Sequence, residues 1–174
     1  MLITNQWVSS EYILHFIVIY YSMPYTHMSE SSEVVEVKKS KLKKAGKGLF
    51  AKKKIKKGEF ICWYAGVYVN KDTVHNGYYD SDYLWEFEDS DLVIDAADPL
   101  SCLGRYVNDS LSLGLTNANV IDYDDVHAGA IIATKAIAKG NEVYITYGPE
   151  FWIEERRFNK LNADDKQFVE DASG

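Results

Sequence analysis

Between Val34 and Tyr147 the apolar residues of this chain come in runs of three to five, each cut off by glycine, aspartate or proline or by a charged turn. Runs of that length suit β-strands and are too short for helices, which need roughly ten or more residues on a 3.6 period. Val34, Val35 and Val37 open the series. Gly48–Ala51, Phe60–Tyr64, Leu92–Ile94, Ala130–Ala133 and Val143–Tyr147 continue it, with Lys57-Gly58 and Ala65-Gly66 as punctuation. There is no internal repeat and no strand–helix alternation, which argues against a parallel doubly wound sheet. Helical spacing appears only near the C-terminus, where Phe151, Trp152, Glu155 and Phe158 fall on one face. The expectation is a mostly β (α+β) domain built from several small sheets.

A chain of 174 residues that is 47% hydrophobic and 26% charged has the size and composition of one folded domain, not of a disordered chain. Its two cysteines, Cys62 and Cys102, supply neither a disulfide framework nor a four-ligand zinc site, and its four histidines are scattered without ligand spacing, so no metal site is expected. The net charge of −7 argues against a general nucleic-acid binder. That average conceals two blocks. Eleven lysines fall within the twenty residues Lys38–Lys57, which read first as a solvated face and second as a weak phosphate-contacting stripe. Nine acidic residues and no lysine or arginine fall within Asp72–Asp98, a surface suited to a cationic substrate.

Residues 1–28 read differently from the remainder. Ile13–Tyr21 is too short to span a bilayer, and Glu11 just before it and the lack of a basic leader do not fit a signal peptide. Residues 1–28 are therefore expected to be an extension outside the domain, disordered or not native to it. The domain itself is expected over 34–152, with a helical tail over 153–174.

Four features follow in a fixed order. Gly46-Lys47-Gly48-Leu49-Phe50-Ala51 leads to Ile55-Lys56-Lys57-Gly58-Glu59 and then Tyr64-Ala65-Gly66. Gly104-Arg105-Tyr106-Val107-Asn108-Asp109-Ser110 comes next, with Asn117-Ala118-Asn119 behind it. Ile137-Ala138-Lys139-Gly140-Asn141-Glu142 and Ile145-Thr146-Tyr147-Gly148 close the series. Each motif is loose, but the ordered set resembles the SET-domain protein-lysine methyltransferases, in particular the small, zinc-free type found among viral SET histone methyltransferases.

That resemblance implies a SET fold of small curved sheets with a pseudoknot at the active site. It implies S-adenosylmethionine as cofactor and a basic protein or peptide, most often a histone tail, as partner. Tyr147 maps to the essential tyrosine and Tyr64 to the tyrosine lining the lysine channel. Gly46, Lys47 and Gly48 map to the segment against the methionine part of the donor, Asn108 and Asp109 to the Asn-His pair, and Trp152 to a C-terminal aromatic stacking on adenine; Tyr83 is a further donor contact. Ile145, Trp85 and Phe87 are expected along the substrate channel. Glu86 and Glu88 are expected in a groove where the peptide adds as a strand. The chemistry suits these residue types, because methyl transfer needs alignment and a neutral amine rather than a protein nucleophile. An aliphatic Ile145 points to di- or trimethylation. The resemblance places the protein in the nucleus or on chromatin if its source is eukaryotic or viral and otherwise in the cytoplasm, not secreted, with neither direct base readout of nucleic acid nor a membrane span.

Two departures from the family pattern stand out. Asp109 occupies the place of the usual histidine, and Val67 that of the usual glutamate after Tyr-x-Gly. The first leaves an alternative in which a catalytically weak SET domain serves as a peptide- or chromatin-binding module.

Overall fold

The computed structural model describes residues 32–87, 90–112, 114–123 and 128–173. The expected extension over residues 1–28 lies outside the described residues, as does Glu88. In chain order the elements are β1 (Val35–Lys39), β2 (Lys47–Ala51), β3 (Phe60–Tyr64), β4 (Val67–Asn70), α1 (Lys71–His75), β5 (Leu84–Glu86) and β6 (Leu92–Asp95). A 3-10 turn (Gly104–Tyr106) precedes β7 (Asn108–Asp109), β8 (Ala118–Tyr123), β9 (Ala128–Ala133) and β10 (Tyr144–Ile145). Three short helices follow: α2 (Pro149–Ile153), α3 (Glu155–Phe158) and α4 (Ala163–Ser173).

The strands form four small sheets, as the short runs anticipate. β1 and β2 make an antiparallel hairpin from Val35↔Ala51 to Lys39↔Lys47. The other antiparallel sheets run β3-β9-β8 and β4-β6-β5, and β7 pairs with β10 in parallel. β9 lies at the centre of its sheet, and its small residues (Ala128, Gly129, Ala130, Ala133) leave room for both neighbours to pack closely. The Ile-x-Lys-Gly sequences at 55–58 and 137–140 explain one another. Ile55 and Ile137 are buried and exchange two backbone hydrogen bonds of 2.9 Å. The glycine that ends each stretch turns the chain at φ +84 (Gly58) and +81 (Gly140), where a side chain would be strained.

One core runs through these sheets, with Leu49, Ile61, Ile94, Ile131 and Val143 fully buried within it. Among the described residues no helix is long and apolar enough to cross a membrane. The C-terminal helical face anticipated across Phe151–Phe158 is not continuous. Glu154 leaves the helical region at φ −59, ψ 127, so α2 and α3 are separate turns with different directions.

The segment before Tyr147 is hydrogen-bonded to the stretch 108–117. Tyr144 of β10 pairs with Asn108 of β7, while its N–H donates to Asn117 Oδ1 (2.9 Å) and its carbonyl accepts from Asn117 N (3.0 Å). Asn117 Nδ2 also donates to Glu142 O at 3.0 Å. The segment leading to Tyr147 is thus gripped by both ends of the stretch 108–117.

Candidate active site

The site gathers around β7 and the turn that follows β10. Asp109 supplies its anchor. Its Oδ1 accepts from Leu111 N (2.7 Å), and its Oδ2 accepts from Tyr147 N (2.9 Å) and from the Trp152 indole Nε1 (3.0 Å). A carboxylate is acceptor-only when ionised, and here all three partners are donors. The side chain therefore joins Leu111, the backbone of Tyr147 and the first C-terminal helix through one residue.

Tyr147 follows from that placement. Its hydroxyl donates to Val107 O at 2.7 Å. Its ring meets Phe151 edge-on at 4.8 Å and lies nearly parallel to Trp152, at 13° with 6.0 Å between centroids. Burial, with the charge of Asp109 behind it, pushes the phenol well above its ordinary value, so the hydroxyl remains a donor throughout the physiological range. Tyr64, on β3, is buried and donates to Tyr83 O at 2.8 Å, and burial likewise raises its pKa. Trp85 lies 6.2 Å from the Tyr64 ring and donates from its indole to Asp122 Oδ1 at 2.9 Å. Two neutral phenols and an aromatic wall make a surface that disfavours an ammonium ion by desolvation.

The glycine-bearing segment is held from below by a second carboxylate. Glu142, 1% exposed, accepts from Ser40 Oγ (2.7 Å), Lys41 N (2.8 Å), Asn108 Nδ2 (3.1 Å) and Tyr144 OH (2.8 Å). Asn108 Nδ2 also donates to Lys47 O at 2.9 Å, which ties the Gly46–Gly48 segment to β7. Gly48 is glycine for lack of space, since a Cβ there would sit 2.0 Å from Glu142 Oε1. Gly46 differs: it holds φ +70, and a Cβ there would meet nothing within 4 Å. The residue is exposed, and its carbonyl accepts from Ser40 N at 2.9 Å.

Beyond Asp109 a largely apolar cavity of about 380 Å³ is walled by Leu111, Pro149 and Trp152 on one side and Phe168, Val169 and Ala172 of α4 on the other. That volume is within the range of small-molecule sites.

The remaining expected residues are placed as follows. Tyr83 is half-buried, its ring beneath the Arg105 guanidinium at 4.3 Å. Ile145 is buried in β10. Phe87 is 1% exposed and sits in the core, so its ring supports the wall rather than facing an open channel. Glu86 is exposed on β5 but already engaged by His75 Nε2 at 2.9 Å and Lys71 Nζ at 4.0 Å. β5 pairs with β6 alone and is an edge strand, the geometry an added peptide strand requires. Among the described residues no group of three metal-ligating side chains occurs.

Three residues of the site carried no role in the sequence reading. Glu142 reads locally as a turn acid after Gly140. Arg105 bonds Ala96 O (2.7 Å) and Ala97 O (2.9 Å) and lies over both Tyr83 and Tyr106. Arg157 stacks on Phe151 at 4.1 Å and bonds Asp82 Oδ1 at 2.8 Å, fastening the C-terminal helices to the segment before β5. Only partners distant in sequence give these three their meaning.

Comparison with known proteins agrees with this geometry. A 127-residue stretch is 27% identical to the histone-lysine N-methyltransferase set-1 of Caenorhabditis elegans, covering 68% of this chain and 52% of that protein. The chain thus spans about half the length of the curated relative it matches. The family model for the SET domain matches residues 46–148, from the exposed glycine through β7 to the residue after Tyr147, and the chain belongs to the SET-domain family.

Proposed function

We propose that this protein is an S-adenosylmethionine-dependent protein-lysine N-methyltransferase acting on a basic protein tail, a histone tail first among the candidates. The observation that carries the reading is the meeting, around the short parallel pair β7–β10, of the exposed Gly46 turn, an apolar cavity and a half-buried neutral phenol. The residues present fit the donor. The exposed Gly46 backbone suits a polar amino-acid moiety, and the cavity beside Asp109 and Trp152 suits an apolar or aromatic ring. Gly46, Lys47, Asn108 and Trp152 would hold it, and when bound it supplies a methyl group on a sulfonium.

The chain's own groups do the rest. Tyr64, Trp85 and Tyr147 surround the acceptor amine with aromatic surface and favour its neutral form. Carbonyl groups such as those of Val107 and Tyr83, already aligned by the tyrosine hydroxyls, orient the polar atoms near the amine. Tyr147 acts as a neutral donor rather than a base, so the amine loses its proton to solvent. The peptide adds along the β5 edge, where Glu86 favours a lysine- or arginine-rich sequence; Glu88 follows it in the sequence. Ile145 leaves an apolar pocket without a hydroxyl, which favours di- and trimethyl-lysine. Such an enzyme would work in the nucleus or on chromatin.

Isothermal titration calorimetry with S-adenosylhomocysteine tests the donor site directly. Saturable binding at one site, weakened at least tenfold by Trp152→Ala, is the expected result. No binding by the folded chain would refute the assignment, since a peptide-binding module has no need of the donor.

A further inference from the structure

The eleven lysines of Lys38–Lys57 take no part in the site apart from Lys47, yet the fold displays all of them. Each is exposed, and no acidic residue interrupts them in sequence. Lys39 and Lys47 are register partners at the loop end of the β1–β2 hairpin, whereas Lys52 follows its open end, about 17 Å from Lys47 at about 3.4 Å per strand residue. Lys41 bridges the two ends. Its ammonium lies over the Phe50 ring at 5.7 Å and reaches Gly140 O at 3.5 Å, beside the exposed Lys139, and Gly140 N in turn bonds Ala51 O. Among the described residues carboxylates pair with only two of the eleven, Lys38 with Glu36 (2.6 Å) and Lys56 with Glu59 (4.0 Å).

We infer that this stripe is a docking surface for the phosphate backbone of double-stranded nucleic acid, independent of base sequence. Duplex nucleic acid presents a regular row of charge, and lysines acting as point charges gain affinity there by releasing counterions. The composition of the stripe selects that partner over others. It has no arginine for bidentate reading of bases and no exposed aromatic for stacking on them. It has no large exposed apolar side chain either, whereas membrane-surface segments and protein hot spots both need one. The overall charge of −7 does not oppose local contact, because charges beyond about 8 Å are largely screened at physiological salt. The acidic insert lies on a different sheet, β4-β6-β5. The molecule thus separates a face for a polyanion from a face for a basic peptide.

Fluorescence anisotropy of the full chain with two unrelated duplexes of about 25 base pairs, in about 50 to 200 mM KCl, tests this. The expected result is binding on the order of 10 μM at the low-salt end, equal for both sequences, with log affinity falling at a slope near −3.6 or steeper if four phosphates are engaged. The variant Lys43→Glu/Lys44→Glu/Lys53→Glu/Lys54→Glu alters only exposed positions outside the site. It should bind at least tenfold more weakly with a shallower slope, and the matching glutamine variant should fall between. Far-UV circular dichroism establishes that both variants fold. Unchanged affinity and slope in the folded variants would overturn the inference. So would tighter binding to anionic phosphatidylserine vesicles or to polyglutamate than to either duplex. None of these readouts depends on methyl transfer, so failure here and failure of the proposed enzymatic reading are separately visible.

Discussion

Two carboxylates brace β7, and the molecule uses them differently. Glu142 is fully buried and collects four donors from the β1–β2 loop, Asn108 and Tyr144. Asp109 is half-buried, borders the cavity, and collects three donors from Leu111, Tyr147 and Trp152. The first ties the β1–β2 loop, Asn108 and Tyr144 together in the interior. The second holds the phenol, the indole and the C-terminal helices in one arrangement. The difference teaches that two carboxylates around one short strand pair can hold quite different parts of the molecule together. Asp109 takes on a wiring role through its side chain.

The comparison breaks most visibly at Glu142. Alanine there strands four donors, at 1.5–3 kcal/mol for a typical bond to a charged group, so Glu142→Ala is expected to destabilise the fold by roughly 3 kcal/mol or more. For a chain of this size that is a fall of roughly 6–12 °C in Tm, read by calorimetry. A shift within a degree or two would show that water replaces the carboxylate, and the two residues would not differ as argued.

Asp109 should show the opposite balance. Asp109→Asn is nearly isosteric, yet its amide must face either Leu111 N or the pair formed by Tyr147 N and Trp152 Nε1. We expect kcat/KM to fall about 30-fold or more, near 2 kcal/mol, with Tm lowered by only about 2–4 °C. Wild-type activity in the asparagine variant would remove Asp109 from the positioning role. Trp152→Phe sharpens the point. It keeps an aromatic ring and deletes one bond of 3.0 Å, so a loss of about fivefold, about 1 kcal/mol, is expected, mostly in the apparent KM for the donor.

The smallest effect concerns pH. Burial raises the pKa of both Tyr64 and Tyr147 above the free phenol value of about 10. Neutral phenols are therefore favoured by the fold. Their contribution to stability is complete below about pH 10 and is lost as pH rises above it, when the unfolded tyrosines ionise and the folded ones resist. Burial raises the thiols of Cys62 and Cys102 as well, so denaturant midpoints should begin to decline above about pH 8.5 and fall more steeply above about pH 10, the steeper part being gentler in Tyr147→Phe. A decline beginning near neutrality would mean that the phenols ionise easily and that Tyr147 is available as a base.

Much of this architecture was legible in the chain. β2, β3, β6 and β9 announce themselves as runs of branched and aromatic residues between turns, and the repeated Ile-x-Lys-Gly stretches pair in space. β7 was not legible. It is two polar residues, Asn108-Asp109, and is a strand only because β10, some 36 positions later, pairs with it. β5 carries a charge within three residues and reads as an acidic loop. At the candidate site, the ordered motifs singled out Tyr147, Tyr64 and Asn108 as expected residues. The donors on Glu142 and Asp109 come from residues up to 102 positions away and have no local signature. Phe87 is buried in the core, and alternation with Trp85 looks the same whether a ring faces a channel or the core.

The most direct test of the central claim is mass spectrometry of core histones after incubation with S-adenosylmethionine and this protein, beside Tyr147→Phe. The account predicts additions of about 14 Da per methyl on one lysine, reaching two or three, and their loss in the variant. Histones left unmodified by a folded protein that binds the donor would contradict the histone reading. Methylation that survives intact in Tyr147→Phe would contradict the site.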